Sequence, residues 1–146
     1  MKAPSIDIKV REVDGHRGVF DPVRRRWVAL TPEEWVRQCL ILSLHNDYGY
    51  PYELMQVEGA ISVNGMTRRC DIVIYNDGHP WMIVECKQPN VALTQKVCDQ
   101  ACRYNTVLHV PYLLLSNGRQ TIAIEVDYLN NVARPMMAIP PYHKKS

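Results

Sequence analysis

The chain is expected to fold as a mixed α/β domain: a helix, a three-strand antiparallel meander, a second helix that crosses over, and a strand parallel to the meander. Three observations carry this expectation. Two β-rich runs, Ile72-Val73-Ile74-Tyr75 and Trp81-Met82-Ile83-Val84, flank turn residues Asn76-Asp77-Gly78-His79-Pro80. Asn64-Gly65, a strong short hairpin signal, separates residues 54–63 from residues 67–76. Residues 93–108 place Val97, Ala101, Tyr104 and Leu108 on one helical face, and the apolar run Pro111 to Leu115 follows, as suits a strand buried on both sides. A helix between two strands of one sheet makes the right-handed parallel crossover.

The elements can be justified in order. Residues 6–13 and 25–30 read as extra N-terminal strands around a loop containing Asp14-Gly15 and Asp21-Pro22. Thr31-Pro32-Glu33-Glu34 starts a helix, with Thr31 as N-cap, Pro32 in the first turn and Glu34 closing a capping box. Val36, Leu40 and Leu44 continue its buried stripe to about His45, and Tyr48 to Tyr52 is a turn. The meander strands are expected at 54–63, 67–76 and 80–87, with a last strand from Thr121 to Val126 after the Asn117-Gly118 turn. Residues 127–146, with Pro135, Pro140 and Pro141, are expected to be irregular and to wrap the domain. The 146 residues suit one compact domain, with N-terminal strands to about 30, a core over 31–126 and this tail.

The charged residues are more informative than the apolar ones. If the second hairpin is symmetric about Gly78, Asp71 stands opposite Glu85, and Asp71, Glu85 and Lys87 share one face at the end of an otherwise apolar ladder. A two-residue loop at Asn64-Gly65 places Glu58 opposite Asp71 in turn. Facing carboxylates need a cation between them, and a metal would serve. The plain alternative is a cross-strand salt bridge, which contributes little if exposed.

Taken together, Asp71, then Glu85-Cys86-Lys87, then Gln100-Ala101-Cys102-Arg103-Tyr104 on a helix resemble the PD-(D/E)XK nuclease superfamily in its Gln-X-X-X-Tyr variant, without the proline before Asp71. More narrowly, the chain resembles the N-terminal nuclease domain of type I restriction enzyme R subunits. That resemblance extends over about residues 20–120, through Leu30-Thr31-Pro32-Glu33-Glu34-Trp35-Val36-Arg37, Tyr48-Gly49-Tyr50-Pro51 and Ser116-Asn117-Gly118. It implies a restriction-endonuclease-like core and a Mg²⁺-dependent (or Mn²⁺-dependent) endonuclease acting on DNA. Asp71, Glu85 and the backbone carbonyl of Cys86 would hold the metal, leaving water and phosphate oxygens to complete its octahedron. Lys87 would orient the attacking water and stabilise developing charge. Gln100 would position the water or a phosphate oxygen, and Tyr104, one turn on, would support Gln100 or touch DNA. Either Glu58 or Glu34 completes the site. Arg68 and Arg69, beside Asp71, are the favoured DNA contacts among the basic clusters, which also include Arg24-Arg25-Arg26 and Lys144-Lys145. The alternative is a non-catalytic DNA-binding or protein-interaction domain that retains the nuclease fold.

Composition excludes other classes. No Gly-rich Walker pattern occurs, so a restriction motor would be a separate subunit, as would a specificity subunit. The apolar runs fall short of a membrane span and Met1-Lys2-Ala3-Pro4 opens a polar stretch without a signal peptide, implying a cytoplasmic protein without a membrane partner. Five cysteines without a Cys-X-X-Cys pair suggest reduced, mostly buried thiols rather than disulfides, zinc or an iron-sulfur cluster. The five histidines lack a metal-ligand rhythm, and the net charge of +2 gives only a weak hint of a nucleic-acid partner.

Overall fold

In a computed structural model, described for residues 8–143, eleven strands and two α-helices are arranged around one central sheet. Strands β1 (Val10–Val13), β2 (His16–Asp21) and β3 (Arg26–Ala29) form an antiparallel sheet of their own. Helix α1 (Pro32–Asn46) follows, and after a 3-10 turn at Tyr52–Leu54 come β4 (Met55–Val57), β5 (Ala60–Val63), β6 (Met66–Arg69), β7 (Ile72–Asn76) and β8 (His79–Cys86). Helix α2 (Gln95–Leu108) then leads to β9 (Tyr112–Ser116), β10 (Thr121–Asp127) and β11 (Val132–Met136). The central sheet runs β11-β10-β9-β8-β7-β4, and β8 pairs with β9 in parallel. Helix α2 is therefore the crossover.

Alternation along the strands splits the core into two layers. Ile72, Ile74, Met82, Val84 and Leu114 pack with Val36, Leu40, Ile41 and Leu44 of α1. Val73, Ile83, Leu113 and Leu115 pack with Ala101 and Leu108 of α2. Helices on both faces explain why the three central strands are continuously apolar. Thr31 caps α1, its Oγ1 accepting from Glu34 N–H at 3.0 Å. The other half of the expected capping box is absent: the Glu34 carboxylate turns inward and accepts from Arg24, Arg37 and Gln38.

Strand register positions the site. Met55↔Ile74, Gln56↔Val73 and Val57↔Ile72 pair in the central sheet, while Ala60↔Arg69 to Val63↔Met66 pair in a separate two-stranded sheet. Both stretches follow one register, that of a two-residue turn at Asn64-Gly65. The expected long strands 54–63 and 67–76 are thus one hairpin broken at Glu58-Gly59 and Cys70-Asp71. Glu58 adopts φ 56°, a left-handed conformation that ends β4, and the outer hairpin turns so that Ile61 and Val63 join the α2 side of the core. Across the break the register persists, with Glu58 N–H donating to Asp71 O at 2.9 Å and Cys70 N–H to Gly59 O at 2.8 Å.

Three further expectations are corrected. The hairpin of β7 and β8 is not symmetric about Gly78: its turn is Asp77-Gly78, and a bulge between Ile74 and Tyr75 restores the expected pairing from Ile74↔Met82 to Ile72↔Val84. The expected loop between two N-terminal strands contains a third, β2, because Asp14-Gly15 is a tight hairpin turn with φ 51° and 80°. Residues 6 and 7 of the expected first strand, like Lys144-Lys145, lie outside the described residues. Finally, the tail is not wholly irregular: β11 pairs with β10, and Pro135 is tolerated because β11 is an edge strand. Residues beyond it do wrap back, with Tyr142 N–H donating to Tyr48 O at 2.9 Å. All five cysteines are free, and Cys39, Cys70 and Cys86 are buried.

Candidate functional site: a carboxylate and arginine cleft at the break in the meander

Where β7 begins and β8 ends, the ladder gives way to side chains. A cleft of about 300 Å³ opens there, and Glu58, Asp71, Glu85 and Lys87 line it together with Arg37, Arg68, Arg69 and Cys70. The cause is the chain break: with Asp71 outside β7, the Cys86 N–H that would have continued the β7–β8 ladder instead donates to Asp71 Oδ2 at 2.8 Å. In a strand the N–H and C=O of one residue project to the same side, so the Cys86 carbonyl faces that edge as well. On the other side of β8, Lys87 N–H donates to Ser116 O at 2.8 Å, extending the parallel ladder and fixing the root of its side chain.

Each carboxylate carries an arginine. Arg37 of α1 reaches Asp71 Oδ1 at 3.0 Å, Glu34 Oε1 at 2.9 Å and Glu58 Oε1 at 3.5 Å. Arg24, held by the fully buried Asp21 at 2.6 Å, reaches Glu34 at 2.8 Å and Glu58 at 3.3 Å. Arg69 meets Glu58 Oε2 at 3.1 Å. On the opposite wall Arg68 pairs with Glu85 and lies over the Tyr104 ring, 3.8 Å from its centroid. The cation between the facing Glu58 and Asp71 is therefore an arginine.

The protonation tendencies follow. Burial by itself would lower the Arg37 guanidinium, but Glu34 and Asp71 outweigh it and raise it further. Arg24 behaves alike, with Glu34 and Asp21 overcoming burial. The hydrogen bond from Arg69, opposed by some desolvation and reinforced by Arg37 and Arg24, holds Glu58 below the ordinary glutamate value. Burial first, then Asp71, pushes the Cys86 thiol well up, so its sulfur is a neutral core atom rather than a ligand.

Of the residues expected at the site, Asp71, Glu85, Lys87, Glu58, Arg68 and Arg69 line the cleft. Glu34 is buried behind Arg37 and does not line it, so of the two candidate third carboxylates Glu58 is the one at the cleft. Tyr104 acts on the cleft through Arg68, and Gln100 is exposed on α2 outside the lining. Arg37 and Arg24 carry the electrostatics, yet sequence reasoning gave neither a role. A signal existed for Arg37: it lies three residues after Glu34, so both sit on the inward face of α1, where an unpaired charge is not tolerated.

Two carboxylates and an adjacent carbonyl make a hard-oxygen donor set suited in kind to Mg²⁺, which needs only one or two carboxylates and keeps several waters, and the Lys87 ammonium lies beside it. Among the described residues, no three His, Cys, Asp or Glu side chains are gathered closely enough to hold a metal by themselves. Among the same residues, no helix is long and apolar enough to cross a membrane. A search of curated proteins gives no match. The family described as the type I restriction enzyme R protein N-terminus matches residues 32–140, from the first turn of α1 past β11 and through the whole cleft, and the chain belongs to that family.

Proposed function

We propose that this chain is a Mg²⁺-dependent endonuclease module that hydrolyses DNA phosphodiester bonds in a restriction context. The observation that carries the reading is the convergence of Asp71, Glu85 and Lys87 on one cleft at the end of an apolar ladder. The order of helix, antiparallel meander, crossover helix and parallel strand supports a restriction-endonuclease-like core. Family membership supports the restriction context, and with it a separate motor or specificity subunit as partner and a cytoplasmic place of action.

Asp71, Glu85 and the Cys86 carbonyl would hold the metal, which when bound polarises a phosphate oxygen and acidifies its water. The chain's own residues do the rest. Lys87, rooted on the β8–β9 ladder, presents an ammonium to the phosphate where negative charge develops. Arg68 and Arg69 attract the phosphate backbone, and engagement of DNA would draw Arg68 away from Glu85 and free that carboxylate. Arg37 holds the Asp71 carboxylate in orientation from behind. Gln100, exposed on the helix that supports Arg68 through Tyr104, would meet DNA lying along the cleft rim.

The arginine on each carboxylate favours a second reading, a DNA-binding domain that balances these charges without metal. Supercoiled plasmid with and without Mg²⁺ or Mn²⁺ separates the two. The nuclease reading expects metal-dependent nicking or linearisation, reduced about a hundredfold or more in Lys87→Ala with folding and DNA affinity retained. Asp71→Ala should lose cleavage and metal affinity together. DNA binding without metal-dependent cleavage, unchanged in both variants, would establish the second reading.

A further inference from the structure

The β1–β3 sheet contributes no residue to the cleft lining, yet one of its faces is built like a binding surface. The register Val10↔Val19↔Val28 assigns the faces. Val19 and Asp21, both fully buried, lie on the inner one. Lys9, Arg11, His16, Phe20 and Trp27 share the other, since Lys9 O accepts from Phe20 N–H, Phe20 pairs with Trp27, and alternation places Arg11 and His16 with them. Lys9, Arg11 and His16 are exposed, and the two rings are half-buried. The rings meet edge to face at 5.6 Å, with the Arg11 guanidinium 4.0 Å above Trp27 and the Lys9 ammonium 5.6 Å above Phe20. Gly18 and Ala29, the small residues of this face, border a recess of about 230 Å³ beside Trp27.

We propose that this face binds a single-stranded segment of nucleic acid, with bases stacked on Trp27 and Phe20 and phosphates met by Lys9 and Arg11. Charge argues for the ligand: among the described residues no acidic strand residue lies on this face, Glu12 being on the inner one opposite Arg17, and Asp14 lining only the recess. The rings argue for single strands, because base faces are available for stacking only when bases are unpaired. The two cations over the rings are placeholders. A base that replaces the Arg11 guanidinium over Trp27 takes the same stacked position and releases the charge to a neighbouring phosphate. The surface is also connected to the cleft, because the turn that follows Phe20 and Asp21 carries Arg24 to Glu34 and Glu58. The proposal rests on the reading above for its ligand class and is tested without cleavage.

The test is fluorescence anisotropy of a labelled oligothymidylate of about 16 nucleotides, with the full chain in excess chelator, beside a duplex of the same length. Wild type is expected to bind the single strand. Trp27→Ala should weaken it roughly five- to hundredfold, as for loss of one stacked base. Trp27→Phe, which retains a ring, should recover most of the affinity and excludes misfolding as the cause. Lys9→Gln with Arg11→Gln should flatten the salt dependence by about 0.7 in log-log slope for each phosphate no longer neutralised. No binding of the single strand by wild type, or equal affinity in wild type, Trp27→Ala and the double variant, overturns the proposal. Loss of cleavage with these binding results intact would instead overturn the nuclease reading alone.

Discussion

The two walls of the cleft hold their carboxylates by different means. Asp71 is anchored to the backbone of a buried strand through Cys86 N–H and to Arg37, itself in contact with three further carboxylates, Glu33, Glu34 and Glu58. Glu85 has Arg68, whose other support is the face of Tyr104. The Asp71 wall is held from α1 by a buried cation, the Arg37 side chain being only 8 % exposed, although Asp71 itself is 22 % exposed. The Arg68 side chain, on the outer hairpin, is 21 % exposed. One wall is a fixed frame and the other has a removable counter-ion, an arrangement suited to a site that must exchange protein cations for a ligand.

The largest expected effect tests the fixed frame. Arg37→Met keeps much of the side-chain volume but leaves Glu34 and Asp71 without their shared cation, which should cost about 3–5 kcal/mol of stability. Urea unfolding should show a lower midpoint at unchanged slope. A cost under about 1 kcal/mol would mean that the α1 wall is no more rigid than a surface ion pair.

Alanine at the two carboxylates sharpens the comparison. Asp71→Ala leaves the Cys86 N–H without its carboxylate partner, whereas Glu85→Ala releases an arginine that can turn to solvent. Asp71→Ala should therefore be the more destabilising by about 1–3 kcal/mol, and thermal unfolding of the two variants in chelator measures it. The reverse order would assign the fixed frame to the wrong wall.

Smaller still, Tyr104→Ala removes the support beneath Arg68 and should cost about 0.5–2 kcal/mol. Under the proposed function it should also raise the metal concentration needed for cleavage less than Glu85→Ala does.

The smallest effect is pH-dependent. Because Arg69, against a desolvation penalty and with help from Arg37 and Arg24, holds Glu58 below the ordinary value of about 4.5, its contribution to stability is present above that value and fades as pH falls through the lowered one. Comparing Glu58→Gln with wild type should show a modest deficit at neutral pH that disappears in acid; a deficit that grows in acid would contradict the assignment.

Local chemistry settled much of this protein. Thr31 and Pro32 start α1, and three Asx-Gly turns set hairpins at Asp14-Gly15, Asn64-Gly65 and Asp77-Gly78. Each depends on residues within a few positions of one another, or on a pairing rule carried along a continuous ladder, so the sequence suffices. Glu58 was legible in the same way, by register with Asp71. Tertiary structure decided the rest. The break at Glu58 and Cys70-Asp71, which frees the Cys86 N–H and opens the cleft, requires the outer hairpin to find α2. The bulge that restores the β7–β8 register has no local marker, and β11 exists because β10 offers an open edge. Arg24 and Arg37 became part of the site only when α1 and the β2–β3 turn were packed beside the meander, since the energy of a charge inside a protein depends on what the fold brings within a few ångströms of it.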